Sequence, residues 1–310
     1  MERVTLGRTG LEVSVMGVGA GGPSQMGKRA GKSETESASI LLQAFDAGVN
    51  FVDTSENYGT EPLVGLALKD IPRDQLIIST KKSSSDAKAA DVAPGLENSL
   101  SRLGTDYIDV YNFHGIWPGD YKRCAEELYP ELVKLKEAGK IRFIGLSEKF
   151  NDDTEHAMAP MAFADDIWDV MMIGFSILNQ SAINRVLAKA IEQNVGIQVM
   201  FAVRKALSNP DYLVETVASL IEAGQVDADD IDNLNDPLGF LVHENGAVNI
   251  PDAAYRFCNH EPGTHVILSG TGNPDHLKEN IASLERGPLL EADVERLKHM
   301  FRNVDSITGQ

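Results

Sequence analysis

Short apolar runs rich in β-branched residues recur along this chain at a nearly constant interval, each followed by a longer stretch with helical spacing. That alternation is the mark of βα units, and strands joined by helical crossovers lie parallel in one sheet. The runs cover residues 13–17, 50–53, 76–80, 107–113, 141–147, 168–174, 196–201 and 264–269. Eight such strands close a (β/α)8 TIM barrel, so the expected fold class is α/β with that barrel. A length of 310 residues fits one barrel with insertions, and the expectation is a single domain over residues 1–310.

Strand ends fall at or beside Asp53, Lys81, His114, Ser147, Gly174 and Phe201, giving steps of 28, 33, 33, 27 and 27 residues. The next step, from Phe201 to Ser269, is 68 residues, which predicts a long insertion after the seventh strand at about 202–248. It carries a predicted helix over 210–223 and the acidic stretch DADDIDNLNDP. Long loops after barrel strands shape substrate sites. Helix ends are readable elsewhere. Ser33 and Glu36 form a capping box for a helix reaching about Asp46, with Gly48 as its stop. Helices over 96–103 and 124–138 end at Gly104 and Gly139, and a third over 183–193 closes before Val195 and Gly196. Val4-Thr5-Leu6 and Leu11-Glu12-Val13 flank GRTG, which predicts an N-terminal β-hairpin covering the barrel's bottom.

Hydrophobic content of 43% with 24% charged residues supports a buried core and argues against disorder. A net charge of −18 repels phosphate backbones and anionic lipid surfaces, so neither nucleic acid nor membrane is expected as a partner. A phosphate-bearing cofactor would have to be held by local donors such as helix N-termini. Cys124 and Cys258 form neither a disulfide framework nor a zinc knuckle, and no metal site is expected. With no export signal or membrane-length apolar run, the expected location is cytoplasmic.

Three phosphate-loop lookalikes near the N-terminus fail on context. Gly17, Gly19 and Gly22 match G-x-G-x-x-G, but Pro23-Ser24-Gln25-Met26-Gly27 follows where a helix should open. Gly22 with Gly27-Lys28 lacks the hydroxyl of a Walker loop, and Gly31-Lys32-Ser33 lacks its leading glycine. A Gly-rich loop over the barrel mouth accounts for all three. Met26 in that loop, Trp117 after the fourth strand and the long insertion are candidates to face a substrate.

Asp53, Tyr58, Lys81 and His114 form the stronger constellation, because strand ends converge on one mouth in a barrel. Singly, each has an ordinary explanation as a turn cap, a packing aromatic, a solvated lysine or a core histidine. Together they suit carbonyl reduction, in which hydride transfer puts charge on oxygen and a general acid must protonate it. A free phenol ionises near pH 10, so exchanging a proton near neutrality calls for a neighbour worth about 3–4 kcal/mol. An ammonium about 4 Å away supplies roughly that much at an effective dielectric near 20. Lys81 is the expected ammonium, Asp53 keeps it charged, and His114 donates a hydrogen bond to the substrate oxygen.

These residues lie in segments that resemble the aldo-keto reductases: LGRTGLEVS, FVDTSENYG, IISTKK, LGTDYIDVYNFHG and EAGKIRFIGLSEKF. The resemblance covers nearly the whole chain in order and spacing. It implies a (β/α)8 barrel, NADP(H) or NAD(H) bound without a Rossmann fold, a small-molecule carbonyl or alcohol substrate, and Asp53, Tyr58, Lys81 and His114 as the catalytic tetrad. It also favours Lys81 over Lys82, since the family lysine directly follows this strand's threonine.

The resemblance further places cofactor contacts at Ser147 and Glu148, where the family usually has Ser-Asn, and at Met172, where it has glutamine. The usual stacking aromatic falls at Ala202, with Phe201 beside it, and Arg204 and Lys205 follow as candidates for the pyrophosphate. In SGTGNPDHLKEN the resemblance implies phosphate contacts at Gly270, Thr271 and Gly272 and adenine contacts at Glu279 and Asn280. Only His276 offers a cation where NADP-specific members often place Lys or Arg, so NAD(H) and NADP(H) both fit. Two other readings stay open: a cofactor-binding regulatory barrel with little turnover, motivated by Glu148, Met172 and Ala202, and a Schiff-base lyase or isomerase using Lys81.

Overall fold

Seven of the eight apolar runs form one barrel strand each, and the first divides between two sheets. The computed structural model describes all 310 residues. β1 (Arg3–Thr5) and β2 (Glu12–Ser14) pair as the expected antiparallel hairpin, and β3 (Met16–Gly19) opens the barrel. The predicted strand at 13–17 is therefore corrected, because Asn50 staples a bend at its centre. Asn50 Oδ1 accepts from Ser14 N at 2.7 Å, its own N–H donates to Ser14 Oγ at 3.0 Å, and its Nδ2 donates to Glu12 O at 2.9 Å.

α1 (Glu34–Asp46) follows the Gly-rich loop and carries the predicted Ser33/Glu36 capping box. Then come β4 (Phe51–Asp53), α2 (Glu61–Ala67), β5 (Ile77–Ser83), α3 (Ala89–Leu103), β6 (Ile108–Ile116), α4 (Pro118–Arg123), α5 (Tyr129–Glu137), β7 (Ile141–Glu148), α6 (Ala159–Asp165), β8 (Val170–Gly174), α7 (Ala188–Gln193) and β9 (Gly196–Met200). The long insertion lies where the 68-residue step places it and holds α8 (Lys205–Ser208) and α9 (Pro210–Glu222). α10 (Ile250–Asn259), β10 (Val266–Ser269), α11 (Pro274–Glu285) and α12 (Glu291–Met300) complete the order.

The eight strands close in the order β10-β3-β4-β5-β6-β7-β8-β9, every pair parallel. β5 and β6 run past Lys81 and His114, so these side chains stand inside strand pairing rather than at frayed ends. Lys81 is paired with Asn112 and Ser83 with His114.

Apolar burial has two compartments. A cluster of 74 buried residues fills the space between sheet and helices, whereas only 8 form the barrel floor, so most of the hydrophobic stabilisation is outside the barrel wall. In the floor, Leu6, Leu11 and Val13 of the hairpin meet Phe51, Ile77, Val110, Val170 and Val266. The hairpin thus plugs the end opposite the strand C-termini.

Candidate active site

Asp53 ends β4, and the turn after it is pinned to β5: Thr54 N donates to Ser79 O at 2.9 Å and Glu56 N to Lys81 O at 3.2 Å. Glu56 also takes Lys82, at 3.0 Å, and accepts from Ser83 N at 2.9 Å. The pinned turn holds Tyr58 over the mouth. From above, the Gly-rich loop lies on its ring. A Cβ at Gly21 would sit 2.4 Å from Tyr58 Cε2, so only glycine permits that approach.

Lys81 is fully buried, with Nζ 2.5 Å from Asp53 Oδ2, 2.8 Å from Thr54 O and 5.0 Å from the centre of the Tyr58 ring. Asp53 Oδ1 accepts from Ser79 Oγ at 2.9 Å, and Ser79 Oγ accepts from Asn112 Nδ2 at 3.0 Å. Tyr58 Oη lies 3.3 Å from His114 Nε2, and Ser55 Oγ lies 3.1 Å from His114 Nδ1. The structure thus brings all four expected residues together. Lys82 is drawn off by Glu56.

Burial acts on each of these groups. It pulls Lys81 down, but Asp53 and then Tyr58 outweigh it and raise the amine above its ordinary value, so Lys81 is an ammonium. Burial pushes the Tyr58 phenol up; Lys81 opposes this without reversing it, and Asp53 adds to the rise. The expected lowering of the phenol is therefore corrected: the protein around the ring removes more water than the ammonium compensates. His114 is pulled down to about 3, first by burial and then by Lys81, and is neutral at ordinary pH.

A cleft of about 740 Å³ opens above these groups. Ser147, Glu148, Met172, Phe201, Arg204, Lys205 and Gly270 line it beside Asp53, Tyr58 and His114. Thr271, Gly272, His276, Glu279 and Asn280 lie beyond its rim. Asn280 Nδ2 donates to Ser269 Oγ at 2.8 Å, while His276 and Glu279 are exposed on α11. Gly272 supports the Gly-rich loop, since a Cβ there would sit 2.3 Å from Gly27 Cα.

Two proposed substrate-facing residues are corrected. Met26 is fully buried in the core, and Trp117, half exposed at 49%, folds over Gly119; neither lines the cleft. Ala202 is buried, whereas Phe201 lines the cleft along with Phe150, and the Arg204 guanidinium lies 3.7 Å from the Phe201 ring centre. Arg204 also donates to Asn151 Oδ1 at 3.1 Å and Gln310 Oε1 at 2.8 Å.

Glu148 has both oxygens engaged within the protein. Oε1 accepts from Gly174 N at 2.6 Å, and Oε2 lies 2.9 Å from His156 Nδ1. It brackets β7, β8 and the loop after β7, so its carboxylate is not a free cofactor ligand. Sequence reasoning missed Ser55, Gly21, Phe150 and His156. Ser55 and Gly21 lie within segments already singled out, whereas nothing in the chain's pattern signals the pairing across eight residues of Glu148 with His156.

A closed parallel barrel with an ion-paired lysine, a phenol and an imidazole at its C-terminal mouth has the layout of an acid–base barrel enzyme. The chain belongs to the aldo/keto reductase family, whose model matches residues 16–301. It is similar to L-galactose dehydrogenase of Arabidopsis thaliana, 38% identical over an alignment spanning 47% of this chain and 48% of that protein. The chain thus spans about half the length of that relative. Its alignment with the NADH-specific methylglyoxal reductase of Escherichia coli covers 97% of this chain and 98% of that protein at 27% identity. Among solved structures, the holo form of an aldo-keto reductase from Bacillus halodurans matches with a TM-score of 0.75 at 22% identity, covering 98% and 97% of the two chains. An aldo-keto reductase from Klebsiella pneumoniae in complex with NADPH matches at 0.72 and 20%, covering 99% of each chain. At these identities the structural matches speak for the fold.

Proposed function

We propose that the whole chain acts as one cytoplasmic oxidoreductase domain that interconverts a small carbonyl compound, an aldehyde, ketone or sugar-like molecule, and its alcohol. The observation that carries this reading is the buried Lys81–Asp53 pair placed beneath a protonated phenol at the cleft mouth. A second support is the names of relatives, one a dehydrogenase and one an NADH-specific reductase. No helix is long and apolar enough to cross a membrane.

The cleft fits a nicotinamide cofactor, NAD(H) or NADP(H). Ser147 and Met172 lie at its base, the Phe201 ring lines one wall, and Gly270 lies on the side leading toward α11, where Asn273 caps the helix N-terminus. Bound there, a reduced nicotinamide would be the source of hydride for the carbonyl carbon. Tyr58 then donates its proton to the carbonyl oxygen as charge develops there. His114 donates a hydrogen bond to the same oxygen, and Lys81 stabilises the phenolate left behind. Asp53 keeps Lys81 charged without reaching the substrate. Arg204 and Lys205 would hold phosphate oxygens at the cleft rim. Glu148 shapes the site through its bracket rather than by direct contact.

The test is a panel of aldehydes, ketones and sugars assayed by the absorbance of reduced cofactor, with Tyr58→Phe beside the wild type. The variant should lose about 10²–10⁴-fold in kcat. Its cofactor Kd, measured by titration calorimetry with NADH and NADPH, should stay unchanged. A Tyr58→Phe protein that turns over the best substrate at the wild-type rate removes the phenol from this role.

A further inference from the structure

A neutral imidazole carries one N–H, and which nitrogen bears it decides what His114 presents to the cleft. In this site Nε2 faces Tyr58 Oη at 3.3 Å, and Nδ1 faces a single polar group, Ser55 Oγ at 3.1 Å. Ser55 is fully buried, and its backbone is fixed on both sides by the Thr54 and Glu56 bonds to β5. Its hydroxyl oxygen accepts from Asn57 N at 3.4 Å. The remaining hydroxyl proton has two possible acceptors: His114 Nδ1 at 3.1 Å and Lys81 O at 3.4 Å. Lys81 O already accepts from Glu56 N at 3.2 Å, whereas Nδ1 has no other partner. The nearer, otherwise unpaired acceptor takes the proton.

We infer that Ser55 is a positioning residue that fixes the tautomer of His114, donating to Nδ1 and so keeping the imidazole proton on Nε2. This rests on the reading above that His114 meets the reacting oxygen. With Nε2 protonated, the imidazole donates toward Tyr58 Oη, and the phenol O–H is free to turn to the cleft. A carbonyl oxygen seated between the two rings then meets two donors. In the opposite tautomer Nε2 offers a lone pair, the phenol donates to it, and a carbonyl oxygen meets repulsion from the imidazole side. A hydroxyl that never touches substrate thereby sets whether the site is a proton-donating pair or a closed internal hydrogen bond.

The experiment is imidazole ¹⁵N NMR of the full-length, cofactor-free protein, which reports the protonated nitrogen of His114 without any turnover. His114 should carry its proton on Nε2 in the wild type, shift toward Nδ1 in Ser55→Ala, and return to Nε2 in Ser55→Thr. In kinetics on the best carbonyl, kcat of Ser55→Ala should fall roughly tenfold or more, up to the 10²-fold typical of losing one oxyanion donor. Its cofactor Kd should hold, and Ser55→Thr should recover kcat. Should Ser55→Ala fold poorly, Ser55→Cys retains the volume with a weaker donor and should give an intermediate tautomer population. Nδ1 protonation in the wild type, or an unchanged tautomer in Ser55→Ala and Ser55→Cys, overturns the assignment. A shifted tautomer with wild-type kcat overturns the positioning role. If no carbonyl is reduced by the wild type, the reductase reading fails, while the NMR result still decides the tautomer.

Discussion

At Tyr58 burial and a buried ammonium pull the phenol in opposite directions, and burial prevails. Desolvation raises the phenol above its ordinary value of 10.0, and His114 takes up a second proton only as pH falls to about 3. A phenol raised in this way is in its acid form at every pH below its shifted value. An imidazole lowered in this way is neutral at every pH above its own. The two forms that the proposed mechanism uses therefore coexist from about pH 5 to 9. We expect kcat/KM for carbonyl reduction to be flat across that window and to fall only above pH 10, with alcohol oxidation rising as pH increases. A reduction limb centred near pH 7–8 in the pH–rate profile would show that the phenol is lowered in the working enzyme. The identities of these residues were legible in the sequence because strand spacing places them at one mouth. The sign of the Tyr58 shift was not, since it depends on how much water the folded chain excludes around the ring.

Among the elements, β7 and β8 are joined at their ends by a carboxylate that the family resemblance presents as a cofactor contact. Glu148 accepts from the Gly174 amide and from His156, and Phe150 stacks on His156 with ring centres 5.2 Å apart. Gly174 leaves room for that ring: a Cβ there would lie 2.2 Å from Phe150 Cδ1. Gly174→Ala should push Phe150 out of its stack, cost about 1–3 kcal/mol by overpacking and weaken cofactor binding through the displaced cleft wall. Urea unfolding and calorimetric titration read the two effects. An alanine variant as stable as the wild type would mean that Phe150 relocates without strain. Helix stops at glycine and the Ser33 capping box were readable because they are local. The break of the first apolar run was not, because it is made by Asn50, 36 residues from Ser14. Likewise β5 and β6 run beyond their predicted ends because they pair with each other there, from Lys81 with Asn112 to Ser83 with His114.

Over the whole molecule, the two ends of the barrel hold different kinds of interior. Charged and polar groups gather at the mouth, and the floor is apolar, closed by Leu6, Leu11 and Val13. Leu6→Ala should cost about 2–5 kcal/mol of unfolding free energy while leaving kcat and the cofactor Kd unchanged. A matched pair of measurements, denaturation and steady-state kinetics, checks this. A parallel loss of kcat would show that the floor transmits strain to the mouth. Eight-strand closure was legible from the count and step length of the apolar runs, and the fold needed no more than that. Substrate identity was not, because it resides in the shape of the cleft and not in any residue pattern.

The stapled hairpin also bears on how such a chain can change over time. Because the seal is made by a segment outside the barrel ring, extra robustness can be acquired there without touching a single atom of the chemistry. Loops at the opposite rim are then at liberty to drift toward new substrates, drawing on a reserve of stability that lies a full barrel length away.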